Sequence, residues 1–184
     1  MTTRRRAHAR GVGLSVLLTL LAGALHARDG SWSEAFHLSD LDGAVGGLTS
    51  WNGGAGTRLV AVGGFRSAGP VLANHVAVWD GTCSSALGGG IPWEPAAPVC
   101  AASGADGAGP ALFVGALFAL DGGLPRADVA RWDGGAWSAL GPATAPGTDL
   151  AVAALAVVGR AVYAGGAFAL AGVRPSAHLG RWSP

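Results

Sequence analysis

A unit of about 50 residues occurs three times in this chain, and a period of that length makes the fold an array of like pieces. Each unit holds an apolar strand that runs into Gly and then Phe: Leu59-Val-Ala-Val-Gly-Gly-Phe65, Leu112-Phe-Val-Gly-Ala-Leu-Phe118 and Val162-Tyr-Ala-Gly-Gly-Ala-Phe168. A turn-like stretch of small residues follows each one, at Ser67–Pro70, Asp121–Leu124 and Ala171–Arg174. A second strand then closes on Trp, as Val76-Ala-Val-Trp79, Val129-Ala-Arg-Trp132 and Leu179-Gly-Arg-Trp182. Trp79, Trp132 and Trp182 are spaced 53 and 50 residues apart, and the landmark glycines Gly63, Gly115 and Gly165 are spaced 52 and 50.

The unit continues beyond the tryptophan. Asp133-Gly-Gly-Ala-Trp-Ser-Ala-Leu-Gly141 has a degenerate counterpart in Asp80-Gly-Thr-Cys-Ser-Ser-Ala-Leu-Gly88, with Cys83 or Ser84 standing where Trp137 stands in the other copy. Asp-Gly between apolar runs predicts a tight turn, because Gly accepts the positive φ such turns require. Another apolar piece precedes each glycine-marked strand, clearest over Leu150–Val158 and beginning near Ala44 and Pro98 in the other copies. Each unit therefore reads as four short strands, the strand count of one propeller blade. The expected fold is all-β: three four-stranded blades over about 44–88, 98–141 and 150–184. They would form a partial propeller or half of a dimeric ring.

Composition agrees. Gly and Pro supply 42 of 184 residues, which favours turns over helices, and half of the chain is apolar against 12% charged, enough to drive collapse.

The first 24 residues stand apart. Arg4, Arg5, Arg6 and Arg10 precede an apolar run from Val12 to Leu25, and Ala22-Gly23-Ala24 supplies a small-x-small cleavage pattern. That is the anatomy of a secretory signal peptide (1–24), with a second cut site after Ala27, and the run is short for a membrane span. The expected localisation is secreted or periplasmic, with no membrane span after cleavage. Four of the 12 basic residues leave with this segment while all 11 acidic ones stay, so the remainder is net acidic, the wrong sign for a nucleic-acid binder. In an oxidising compartment, Cys83 and Cys100 are expected to form a disulfide closing a loop of about 17 residues.

In its order of strand, Gly-Gly, turn, Val-x-x-Trp-Asp-Gly and Trp, the chain resembles kelch repeats and the broader galactose-oxidase-like propellers. It is also similar to secreted bacterial repeat proteins and to the fungal cortical polarity marker family. The resemblance covers residues 28–184 and implies a blade architecture without implying an activity. In closed propellers of this kind an N-terminal strand completes the last blade, and residues 29–36, with Trp32 in Asp29-Gly-Ser-Trp-Ser33, match the strand that the third copy lacks.

Candidate sites are few. His75, Asp128 and His178 recur at one repeat position, which predicts a shared structural turn in separate blades and not a catalytic trio. Asp40-Leu-Asp42-Gly43 lacks the later ligands of a calcium loop and reads as a polar turn. Glu34 with Asp40, or Glu94 with Asp106, are carboxylate pairs that no spacing singles out. Tyr163 is the only tyrosine, which removes the two-tyrosine chemistry of copper-radical oxidases. No catalytic residue, metal site or cofactor is assigned. The recurrent tryptophans, Trp32 and Trp137 included, are expected to pack between blades. The stretch Gly88–Pro98 breaks the repeat and carries Trp93 and Glu94 on a Pro-flanked loop, the expected interaction loop. The sequence thus predicts an exported, non-enzymatic scaffold for a protein or glycan partner, with a homodimer as a route to a full ring. The alternatives are a fragment of a longer secreted propeller protein, or a hydrolase or lyase on the same scaffold.

Overall fold

A computed structural model describes residues 41–91, 94–95, 100–116, 118–119, 128–142, 144 and 147–184. The expected signal peptide, the strand at 29–36 with Trp32, and Trp93 lie outside the described residues. The described chain is all-β, in small antiparallel sheets, with no helix among the described residues. None of it is therefore a helix long and apolar enough to cross a membrane.

The first sheet takes β1 (Val45–Asn52), β2 (Thr57–Gly63), β5 (Val76–Trp79) and β6 (Ser84–Ala86) in that order, with a small hairpin of β3 (Ser67–Ala68) and β4 (Val71–Leu72) inserted between β2 and β5. The second follows the same plan. It comprises β8 (Cys100–Ala105), β9 (Pro110–Gly115), β11 (Val129–Trp132) and β12 (Trp137–Ala139), while β7 (Glu94–Pro95) pairs separately with β10 (Phe118–Ala119). The third has β13 (Val152–Val158), β14 (Ala161–Gly166) and β17 (Leu179–Trp182), again with an inserted hairpin, β15 (Leu170–Ala171) and β16 (Arg174–Pro175).

Register makes the repeat quantitative. Trp79 pairs with Leu59, Trp132 with Leu112 and Trp182 with Val162, so the three indoles hold one position in three sheets. At the other end of the same strand pair, the amides of Gly63, Ala116 and Gly166 donate to the carbonyls of His75, Asp128 and His178, each at 3.0 Å. The equivalent positions are therefore Gly63, Ala116 and Gly166, with Phe65, Phe118 and Phe168 two residues on. Gly115 and Gly165, the landmark partners of Gly63, align instead with Val62. On this register the spacing of the strand becomes 53 and 50, the same as that of the tryptophans.

The equivalence has a physical basis. At Gly63 and Gly166 an added Cβ would lie 2.1 Å from Ala44 O and 2.2 Å from Ala151 O. Both sites face an irregularity in the neighbouring first strand, at Val45/Gly47 and Val152/Ala154. In the second sheet this position is Ala116, and the residues preceding Cys100 that would lie opposite it are outside the described residues. The expected Asp-Gly turns form as well: Gly81 and Gly134 adopt φ of 104° and 103°. Asp80 and Asp133 cap them, each accepting two amides of its own turn at 2.8–2.9 Å.

The sheets stack by a fixed rule. Val60, Val62, Val76 and Val78 of the first sheet pack on Leu112, Val114, Ala130 and Trp132 of the second. The opposite face of the second sheet, with Phe113 and Val129, packs on Val162, Ala164 and Trp182 of the third. Each junction joins the face opposite the tryptophan in one sheet to the tryptophan-bearing face of the next. β2, β5 and β9 are apolar with little alternation because both of their faces are covered, whereas β17 alternates exposed and buried residues. Gly47 lies against Cys100 and Ala101, Ser103 donates to Ser50 O, and Gly104 lies against Val157, so β1, β8 and β13 run side by side in one sense.

The expected disulfide is not formed. Both thiols are free, and they point to different places. Cys83 sits in the exposed β5–β6 turn, where its Sγ donates to Asp80 Oδ2 at 3.6 Å. Cys100 lies on the face of β8 turned to the third sheet, with Sγ 3.6 Å from Gly115 O and 3.8 Å from Val152 O, and burial pushes its thiol up to about 11.

Candidate functional site

The three sheets share one sense, so the two described hairpins inserted between second and third strands, β3-β4 and β15-β16, lie at the same end of their sheets. Each described hairpin is held at its base by a carboxylate. Asp42 Oδ1 accepts from Arg66 N at 2.7 Å and Ser67 N at 2.9 Å. Asp149 Oδ1 accepts from Leu170 N at 2.8 Å and Ala169 N at 2.9 Å. Bridges between Leu41 and Ala68 and between Thr148 and Ala171 complete the clamp. In the second repeat Glu94 pairs with Ala119 and Pro95 with Phe118, so the segment leading into the unit runs beside the start of the inserted stretch there too. Each hairpin carries one exposed apolar side chain: Leu72, paired with Ser67 at the base of the first, is 65% exposed, and Val173, in the turn of the other, 78%. Of the expected interaction loop, Glu94 falls at this same end.

These carboxylates set a pH dependence. The backbone amides of Ser67 and Arg66 hold Asp42 below the usual carboxylate range, and those of Leu170 and Ala169 do the same for Asp149. The amides of Cys83 and Thr82 lower Asp80, and those of Ala136 and Gly135 lower Asp133. The Arg131 guanidinium lowers Asp106, with which it forms a partly buried ion pair. In every case the folded value lies below the unfolded one of about 3.9, so the stabilisation is present above that value and is lost as pH falls through the folded values. Tm is therefore expected to be flat between pH 7 and 5 and to drop steadily from about pH 4 towards 2, as thermal melts followed by circular dichroism would record.

The other candidates do not converge. His75, Asp128 and His178 each open the third main strand of a different sheet, where their carbonyls serve the shared hydrogen bond. His75 and His178 adopt φ of 74° and 66°. The His75 ring lies 3.0 Å from Gly63 O, and Asp128 Oδ2 lies 3.3 Å from Thr148 Oγ1. Glu94 and Asp106 stand at opposite ends of the second sheet. Among the described residues no group of three or more His, Cys, Asp or Glu could hold a metal ion. Asp42, half of the Asp40–Asp42 pair, spends its carboxylate on backbone amides.

Trp137 also has a defined place. Its ring packs on Trp132 with centroids 5.3 Å apart and its Nε1 donates to Leu87 O at 3.1 Å, filling the outer part of the junction between the first two sheets. At the corresponding part of the next junction, Trp182, Leu140, Gly141, Pro142, Arg174 and Arg181 are among the residues that line a cavity of about 490 Å³. Neither the cavity nor Asp149 was singled out by sequence. The signal for Asp149 is its position just before the strand, which matches that of Asp42.

Comparison with protein-family models, curated proteins and solved structures gives no match for this chain.

Proposed function

We propose that the chain is an exported, non-enzymatic scaffold of kelch-like propeller type that binds a protein or glycan partner through its hairpin end. The observation that carries this reading is the repeated, carboxylate-clamped hairpin with an exposed apolar side chain: Leu72 beside the clamp of one and Val173 in the turn of the other. Exposed apolar side chains on loops held by a fixed scaffold are the form recognition surfaces take. The basic, apolar N-terminus favours export.

The test is an unbiased glycan-array and pulldown screen with the secreted product. The wild type is compared with Leu72→Asp/Val173→Asp and with Trp93→Ala. Both hairpin positions are exposed, so folding is retained, and at least a tenfold loss of the detected partner is expected for the double variant. If every partner bound by the wild type is bound equally by both variants, the hairpin end is not the recognition surface.

A further inference from the structure

We propose that the cavity between the second and third sheets binds an acidic sugar, a pyranose that bears a carboxylate. This rests on the reading of the hairpin end as a recognition surface and narrows its partner to one class.

The walls define the ligand's shape. On one side lie Val129 and Leu140 of the second repeat, and on the other Val162, Ala164 and the half-buried Trp182 of the third. Trp182 pairs with Val162, so the indole stands on the face of the third sheet that is turned towards the second. The cavity thus has an apolar flank with one flat aromatic ring. The β15–β16 hairpin borders it at the hairpin end. Ala171 and Arg174 pair across this hairpin and therefore point to the same side of it. The Ala171 methyl lies 3.0 Å from where a side chain on Gly180 would begin, on the face that carries Trp182. Arg174 therefore stands on the cavity side of its hairpin.

Charge selects the ligand's chemistry. Arg174 and Arg181 are among the described residues that line the cavity, and no aspartate or glutamate is. Arg131 is matched by Asp106 and Asp133, whereas Arg174 is exposed and has no ion pair among the described residues. A guanidinium fork takes a carboxylate through two parallel hydrogen bonds. Gly141, Gly147, Gly172 and Gly180 also line the cavity, and without side chains they leave main-chain polar groups within reach of a ligand. A ring with a C–H face for the indole, hydroxyls for the main chain and a carboxylate for Arg174 uses all three features. A wholly apolar ligand would use only the flank. At about 490 Å³ the cavity is of ordinary small-ligand size, roughly 300–1,000 Å³.

The probe is an oligogalacturonide, compared with its methyl ester, which keeps the shape and removes the charge. Isothermal titration calorimetry on the secreted product is expected to show binding of the acid, with the ester at least about tenfold weaker. Arg174→Gln should weaken the acid by at least about tenfold and leave the ester unchanged, and Arg174→Lys should restore part of the loss. Arg174 is exposed, so both variants should keep the wild-type Tm. Arg58→Gln, which removes the same charge from β2, and Leu72→Asp, on the other hairpin, should bind the acid as the wild type does. An acid that does not bind, binds no better than its ester, or binds Arg174→Gln equally well would overturn the site, as would benzoate bound more tightly than the sugar acid. A wild type that ignores the sugar acid but loses another partner on Leu72→Asp/Val173→Asp would overturn the site and leave the proposed function standing.

Discussion

Phe113→Ala is expected to remove about 3–5 kcal/mol of unfolding free energy, the range for truncating a fully buried phenylalanine. Phe113 is completely inaccessible and packs with Val129, Val152, Val162 and Phe168, so it fills the junction between the second and third sheets from the centre of β9. Its neighbours belong to two sheets whose backbones are fixed by their own ladders, and the space left behind cannot collapse without shifting one of them. Tm should fall by on the order of 10 °C, and urea unfolding should show a lower midpoint. Val173→Ala, at an exposed hairpin tip, should stay within about 0.5 kcal/mol of the parent under the same conditions. Equal effects at the two positions would mean that the junction is not packed as described.

The second large effect is expected at a glycine. Gly166→Val places a side chain where the first carbon would lie 2.2 Å from Ala151 O and 3.0 Å from Val152 Cα. Those are backbone atoms, so relief requires the irregularity in β13 to be rebuilt. The cost is expected at about 3 kcal/mol, the upper part of the usual overpacking range. Gly63→Val should behave alike, since its first carbon would meet Ala44 O at 2.1 Å. The reverse change at the equivalent position, Ala116→Gly, should cost only about 1 kcal/mol, through a lost methyl and a looser backbone. Chemical denaturation of the three variants checks the order. A tolerated valine at either glycine would break the register that makes the three positions equivalent.

Much of this was legible in the residues, for identifiable reasons. The tryptophan strand could be read because an indole at a fixed distance from Asp-Gly recurs twice with little else in common, and both Asp-Gly pairs form the turns their chemistry predicts. The equivalent positions are one residue beyond Gly115 and Gly165, because Ala116 stands where the first copy has Gly63 and the third has two glycines in a row, Gly165 and Gly166. In the first and third sheets the constraint on the glycine is the bulged first strand, about 15 residues upstream, which leaves no mark of its own in the sequence. The inserted hairpins read as turns because their strands are two residues long, too short for alternation to show. Asp149 was hidden because its role is defined by amides 20 and 21 residues away. The cysteines misled for a related reason. A separation suited to a closed loop says nothing about direction, and Cys83 faces solvent at a turn while Cys100 faces the third sheet.

The asymmetry between sheets shows how a repeat departs from perfect copying. At the position of Val78, the second sheet has Arg131 and the third has Arg181. Burying Arg131 beside the third sheet requires a partner, and Asp106 in the β8–β9 turn supplies it, with Asp133 at 3.8 Å. The third sheet replaces that four-residue connection with Gly159-Arg160, with Gly159 at φ 61°, and Arg181 is exposed. Charge follows the covering of each face.

Backbone nuclear Overhauser contacts in isotopically labelled secreted protein test the central claim most directly. The repeat of one sheet in three registers predicts cross-strand contacts joining Trp79 to Leu59, Trp132 to Leu112 and Trp182 to Val162. Contacts at only one of the three sites, or partners displaced by one residue between repeats, would contradict it.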